Sequence, residues 1–225
     1  MQLTAIQCAV EAEAAPLLGR MTDREETGRC SLRFVRGRIN GHDCVVVRSG
    51  MGKVNAAAAA QCVIDTFSPA RLIVSGVGGS LCRELRLFDL TLCEKTTHHD
   101  LPMAAVRADY PKMDSDWFVP DAALAAACRR ARPEIKGGVY LTGEAFIDNE
   151  GRASLSERFG AEGLISADME TAAVAQVCRA AGVPFCCVRA ISDTVEERGF
   201  DAFLKNVAEA SVIAAAAVAD MLEYI

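Results

Sequence analysis

The sequence predicts a single α/β domain over residues 1–225, with a mixed, mostly parallel central sheet flanked by helices. Three observations carry that expectation. From Lys53 onward, short β-rich runs alternate with alanine-rich stretches of helical length, the pattern of parallel strands joined by crossover helices. Polar and glycine residues gather where apolar runs stop, at 75–79, 143–146, 168–170 and 192–193, as they do around ligand crevices at the carboxyl ends of parallel strands. No internal repeat, low-complexity tract or Pro/Ser-rich linker divides the chain.

In chain order, a first strand is expected at 3–8, followed by a short helix carrying Glu11 and Glu13. Residues 32–39 and 44–49 read as a hairpin around Asn40-Gly41, whose tolerance of positive φ suits a tight turn, with one or two further residues in the loop. Residues 53–66 are alanine-rich and helical, and 71–75 form a strand entering a glycine-rich turn, Gly76-Val77-Gly78-Gly79. Strands follow at 139–142 and 164–167, then a helix at 170–180, a strand at 185–191 and a last helix from Asp201 to about Tyr224.

Composition narrows the partners. Thirty acidic against twenty-four basic side chains leave a net charge of −6, which does not suit nucleic acid, whose phosphates favour a basic stripe. Ten cysteines lie scattered with no C-x-x-C pair, several inside apolar runs such as Phe185-Cys186-Cys187-Val188, so they read as reduced, buried thiols of a cytoplasmic protein. No secretion signal is visible at the start. The apolar run at 210–219, flanked by Glu209 and Asp220, is too short for a bilayer and reads as a packed helix, so no membrane partner is expected. His98-His99-Asp100 does not make a metal site, because adjacent histidines rarely converge on one ion and no Cys/His cluster completes a tetrahedral set.

The segment SADMETAAVAQVC places Asp168 and Glu170 around Met169 where a strand gives way to a helix. Burying a carboxylate is unfavourable unless it is paired or hydrogen-bonded, so the arrangement implies exposure or a specific role. Taken singly, Glu13 and Glu170 suit the positive ends of helices, Glu13 as an exposed helix-start residue, and Asp193 suits the cap of a turn. Phe146 could stack on a planar ligand or simply pack. The glycine-rich run lacks the spacing of a dinucleotide fingerprint, and no P-loop occurs.

Together, five segments occur in an order and spacing that resemble the nucleoside phosphorylase superfamily and, within it, the 5'-methylthioadenosine/S-adenosylhomocysteine nucleosidases. They are Ala9-Val10-Glu11-Ala12-Glu13, Ser49-Gly50-Met51-Gly52-Lys53-Val54, Gly143-Glu144-Ala145-Phe146-Ile147, Asp168-Met169-Glu170 and Val188-Arg189-Ala190-Ile191-Ser192-Asp193. The resemblance implies hydrolysis of the N-glycosidic bond of an adenine nucleoside bearing a 5'-thioether, by a cytoplasmic homodimer without cofactor or metal. It implies that Glu13 activates water with Arg189 nearby, that Glu170 accepts hydrogen bonds from the ribose hydroxyls, and that Asp193 donates a proton toward N7 of the leaving base. Phe146 would stack on the base, Ile147 would contact it through its main chain and Met169 would floor the sugar, with Met51, Val77, Ser192 and Phe200 completing the substrate contacts. Asp168 reads as structural.

The chain also departs from that family. Val77 stands where the nucleosidases commonly carry a serine, a loss for which Ser75 or Ser80 could compensate. Val106 replaces a frequent pocket aromatic, and the connection from Asp193 to Phe200 is short. Three alternatives therefore stay open: a nucleosidase for another 5'-modified nucleoside of futalosine type, a purine nucleoside phosphorylase, and a nucleoside-binding protein without turnover.

Overall fold

Buried strands need apolar residues on both faces, and the runs richest in them occupy the middle of the sheet. The computed structural model describes residues 2–109, 113–160, 163–194 and 199–225. Nine strands, β1 (Thr4–Cys8), β2 (Thr22–Arg29), β3 (Leu32–Ile39), β4 (His42–Arg48), β5 (Arg71–Ser80), β6 (Leu90–His98), β7 (Lys136–Thr142), β8 (Leu164–Asp168) and β9 (Phe185–Asp193), form one sheet in the order β2-β3-β4-β1-β5-β8-β7-β6-β9. β5 also pairs with β9, so β5, β8, β7, β6 and β9 close into a ring. Among the described residues, five strand pairings are parallel and four antiparallel. Every residue of β1 and of β9 is buried.

Among the described residues, seven α-helices flank the sheet: α1 (Glu11–Arg20), α2 (Lys53–Phe67), α3 (Met103–Asp109), α4 (Ala122–Ala131), α5 (Asn149–Phe159), α6 (Thr171–Ala181) and α7 (Gly199–Met221). The two-residue period of the strands sorts side chains into two cores. Val45, Val47, Leu72 and Val74 meet the alanine faces of α2 and α6 on one side. Val46, Ile73, Cys186 and Val188 meet Leu17 of α1, Leu124 of α4 and Val218 of α7 on the other. Each fully buried Val, Leu or Ile there contributes roughly 1.5–3 kcal/mol.

Several elements differ from the sequence expectation. The hairpin is tighter, with only Asn40 and Gly41 between β3 and β4, at φ 50 and 80, a two-residue turn of the kind that matches strand twist. The glycine-rich run is not a turn: β5 continues to Ser80, paired with β9 through Gly79 and with β8 at Gly79 and Ser80. Glycine is required there because side chains crowd the strand. A Cβ at Gly76 would lie 2.5 Å from Glu13 Oε1, and one at Gly79 would lie 2.7 Å from Asp193 Oδ2. β2, β6, α3, α4 and α5 were not anticipated. α4 carries a legible signal, Asp121, whose carboxylate accepts from the N–H groups of Ala123 and Leu124 as an N-cap.

The apolar C-terminal stretch, Phe200–Tyr224, is longer than the run at 210–219 and is long and apolar enough to cross a membrane by length and composition. In this fold it is a core helix. Ala210, Ala214, Ala217 and Val218 are fully buried, and α7 packs on β9, β5 and α1. All ten cysteines are free, and seven of them are buried.

Candidate active site

Glu13, Glu170 and Asp193 line one cleft beside the carboxyl ends of β5, β8 and β9. Each is buried, including Glu13, whose sequence position alone suggested exposure. The reason is local. Glu13 reaches back across the start of α1, where its Oε2 accepts from the N–H groups of Ala9 at 2.7 Å and Val10 at 3.1 Å. Its Oε1 accepts from the N–H of Val77 on β5 at 2.9 Å. Burial raises the Glu13 carboxyl above the usual carboxylate range, opposed by the Arg189 charge and by those three N–H groups.

Arg189, on β9 and 2% exposed, sits among the acids. Its Nη1 donates to the Val77 carbonyl at 2.5 Å, and its Nη2 donates to Glu170 Oε2 at 3.2 Å and Thr171 Oγ1 at 3.1 Å. Its Nε lies 3.4 Å from Asp168 Oδ2. Asp168 shapes the start of α6: its Oδ1 accepts from Thr142 Oγ1 and from the N–H groups of Glu170 and Thr171. Glu170, the residue before α6, accepts at Oε1 from the N–H of Gly52 at 2.9 Å. Burial pushes its carboxyl up to about 7, with Asp168 and Glu13 adding to the rise and Arg189 and the Gly52 N–H opposing it.

At the other end of the cleft, Asp193 closes β9. Ser192 Oγ donates to its Oδ1 at 3.0 Å, and Arg152 Nη2 donates to its Oδ2 at 2.9 Å. Met51, Val77, Phe146, Ile147, Met169 and Ser192 also line the cleft. Phe200 does not. It stands outside the wall, edge-on to Phe146 at 5.1 Å, while Phe203 supplies the lining aromatic of α7. Residues 195–198 of the short connection lie outside the described residues.

Comparison with known proteins places this arrangement. The family model described as the phosphorylase superfamily matches residues 4–223. The chain belongs to the phosphorylase superfamily. Its curated relatives in that superfamily include the 5'-methylthioadenosine/S-adenosylhomocysteine nucleosidase of Geobacillus kaustophilus, 36% identical over 217 residues and covering 92% of both chains. A solved structure of the Neisseria meningitidis nucleosidase of the same name, in complex with methylthio-immucillin-A, aligns at a TM-score of 0.92 with 27% identity over the full length of both chains. Futalosine hydrolase of Helicobacter pylori aligns at a TM-score of 0.90 with 26% identity, covering 100% of this chain and 98% of that one.

Within this superfamily fold, Val77 is packed against Ala190, Ala210 and Ala214, its N–H given to Glu13. Ser80 does not supply a hydroxyl to the acid: its Oγ donates to the Cys82 carbonyl. Among the lining residues that sequence reasoning did not assign to the site are Phe203 and Arg152. Phe203 lies one helical step from Phe200 on α7, so i, i+3 spacing could have found it. Arg152 lies in NEGRASLSERF, a polar helix whose composition gives no sign that one of its charges is buried.

The raised Glu170 carboxyl has a measurable effect on stability. Unfolded, the group titrates near its ordinary 4.5; folded, it titrates at about 7. The fold therefore holds this proton more tightly, and the resulting stabilisation is full below 4.5 and lost as pH rises through 7. Glu170 accounts for a fall on the order of 3 kcal/mol across that window, read by chemical denaturation as the difference between the ligand-free wild type and Glu170→Gln. Glu170→Gln should show a smaller slope, and an unchanged slope would contradict the cause.

Proposed function

We propose that the protein hydrolyses the N-glycosidic bond of 5'-methylthioadenosine, S-adenosylhomocysteine or both, releasing adenine and the thioribose, in a reaction that uses no metal or cofactor. The observation that supports this reading best is the meeting of Glu13, Glu170 and Asp193, from the start, middle and end of the chain, around one cleft. Breaking the bond builds positive charge on the ribose and negative charge on the purine. Carboxylates at the sugar and an acid at the base stabilise opposite halves of that transition state.

In this reading Glu13 takes a proton from the attacking water beside Arg189, and Glu170 accepts hydrogen bonds from the ribose hydroxyls. Met169 and Met51 flank the sugar, Phe146 and Ile147 hold the base, and Asp193, oriented by Ser192, protonates it. Val77 contributes an apolar contact from β5. Phe200 acts indirectly, backing Phe146 rather than touching substrate. The names of the relatives support the substrate class, and we propose further that the protein works as a cytoplasmic homodimer.

The surroundings of Arg189 favour water over phosphate. Its guanidinium is engaged by the Val77 carbonyl, Thr171 and Glu170, with Asp168 at 3.4 Å, and Glu13 takes the Val77 N–H that an anion would otherwise use. A phosphate dianion would meet several carboxylates there. Incubation with methylthioadenosine, with and without phosphate, should release adenine and free methylthioribose at a rate indifferent to phosphate. Appearance of the sugar 1-phosphate would show phosphorolysis instead, and release of no adenine would overturn the reading. The likeness to futalosine hydrolase makes a futalosine-type nucleoside the second substrate to assay.

A further inference from the structure

We propose that Arg152 is a positioning residue for Asp193, fixing the carboxyl that faces the leaving base; this rests on the reading of Asp193 as the leaving-group acid. Arg152 sits near the start of α5 and is 5% exposed. All three of its guanidinium nitrogens donate: Nη2 to Asp193 Oδ2 at 2.9 Å, Nε to the Ser80 carbonyl at 3.0 Å, and Nη1 to Asn149 Oδ1 at 3.1 Å. A planar fork held at three points has a fixed direction. With Ser192 Oγ on Oδ1, the Asp193 carboxylate is gripped at both oxygens. Its plane is thereby set.

Stability alone is a poor reason for this pair. Taking two charges out of water costs several kcal/mol per ion, and apolar replacements of similar volume are often as stable. The pair also links two parts of the base site. Phe146 and Ile147 lead directly into α5, whose first turn is capped by Asp148 accepting from the Gly151 N–H at 2.8 Å. The segment proposed to hold the purine face and the guanidinium that orients the acid therefore belong to one short, hydrogen-bonded unit anchored on the Ser80 carbonyl of β5.

The test compares two substrates on each preparation, so that the ratio of rates is independent of the folded fraction. One is methylthioadenosine. The other is the 4-nitrophenyl β-glycoside of 5-methylthioribose, whose leaving group departs as a stable anion without being protonated. Arg152→Met should lower kcat on the nucleoside by about 10²-fold, with KM changed less than about threefold. On the nitrophenyl glycoside it should lose less than about threefold, because no acid is needed there. Arg152→Lys, which keeps the charge but not the planar fork, should recover only a small part of the lost turnover, and Asp193→Asn should show the same substrate contrast more strongly. Equal losses on both substrates, or no loss on the nucleoside, would overturn the role of Arg152 and leave that of Asp193 standing. Equal losses in Asp193→Asn, or no adenine release by the wild type, would remove the underlying reading, and the inference with it.

Discussion

Asp193→Asn should lose about 10²- to 10⁴-fold in turnover of methylthioadenosine, the range spanned by positioned general acids. An amide can donate a hydrogen bond to the purine but cannot transfer the proton that neutralises the departing base. The substitution has a second effect, written in the surroundings of the side chain. Arg152 would then face a neutral amide from a site that is 5% exposed, with its charge uncompensated. Breaking one side of such a buried pair costs about 3–5 kcal/mol, so the variant should melt at a clearly lower temperature while remaining folded under assay conditions. Single-turnover adenine release below the melting range separates the two effects. Turnover near the wild-type rate there would remove Asp193 from the acid role.

Glu13→Gln should be comparably damaging, with a turnover loss of about 10³-fold, and for a reason that geometry makes specific. The carboxylate accepts three backbone N–H groups, two at Oε2 and one at Oε1. A glutamine offers only one oxygen. Wherever its amide points, an NH₂ must confront either the Val77 N–H or the Ala9 and Val10 pair, and a buried donor left without an acceptor costs about 1–3 kcal/mol. The base for water is lost at the same time. Adenine binding depends on the opposite end of the cleft, so adenine affinity measured by calorimetry should stay within about threefold of wild type. Loss of adenine affinity in parallel with turnover would indicate a collapsed site rather than a missing base.

How much of this was readable beforehand depended on whether the controlling physics was local. β1, β5 and β9 were visible because strands covered on both faces must be apolar, and α2, α6 and α7 because alanine-rich stretches of their length pack against such strands. β2 was not, since all eight of its residues are exposed and, among the described strands, it pairs with β3 alone. β6 was obscured by Glu94 and Lys95, which interrupt its alternation where its register with β7 shifts. The glycines of β5 read as a turn in the sequence because the crowding that requires them comes from Glu13 and Asp193, distant along the chain. The acids were found by the joint spacing of several motifs. The burial of Glu13 rests on an N–H donated from 64 residues away, and the pairing of Arg152 on a carboxylate 41 residues away, which no local pattern encodes.

The closed ring of β5, β8, β7, β6 and β9 leaves the sheet, among the described strands, with a single free margin, the outer side of β2. That margin reads TDREETGR, with Asp23, Arg24, Glu25, Glu26 and Arg29 all solvent-exposed. An unpaired strand edge is a template for adding another chain, and dense charge of both signs along a short edge discourages such growth. The polarity that hid β2 from pattern-reading thus guards the molecule against edge-to-edge aggregation.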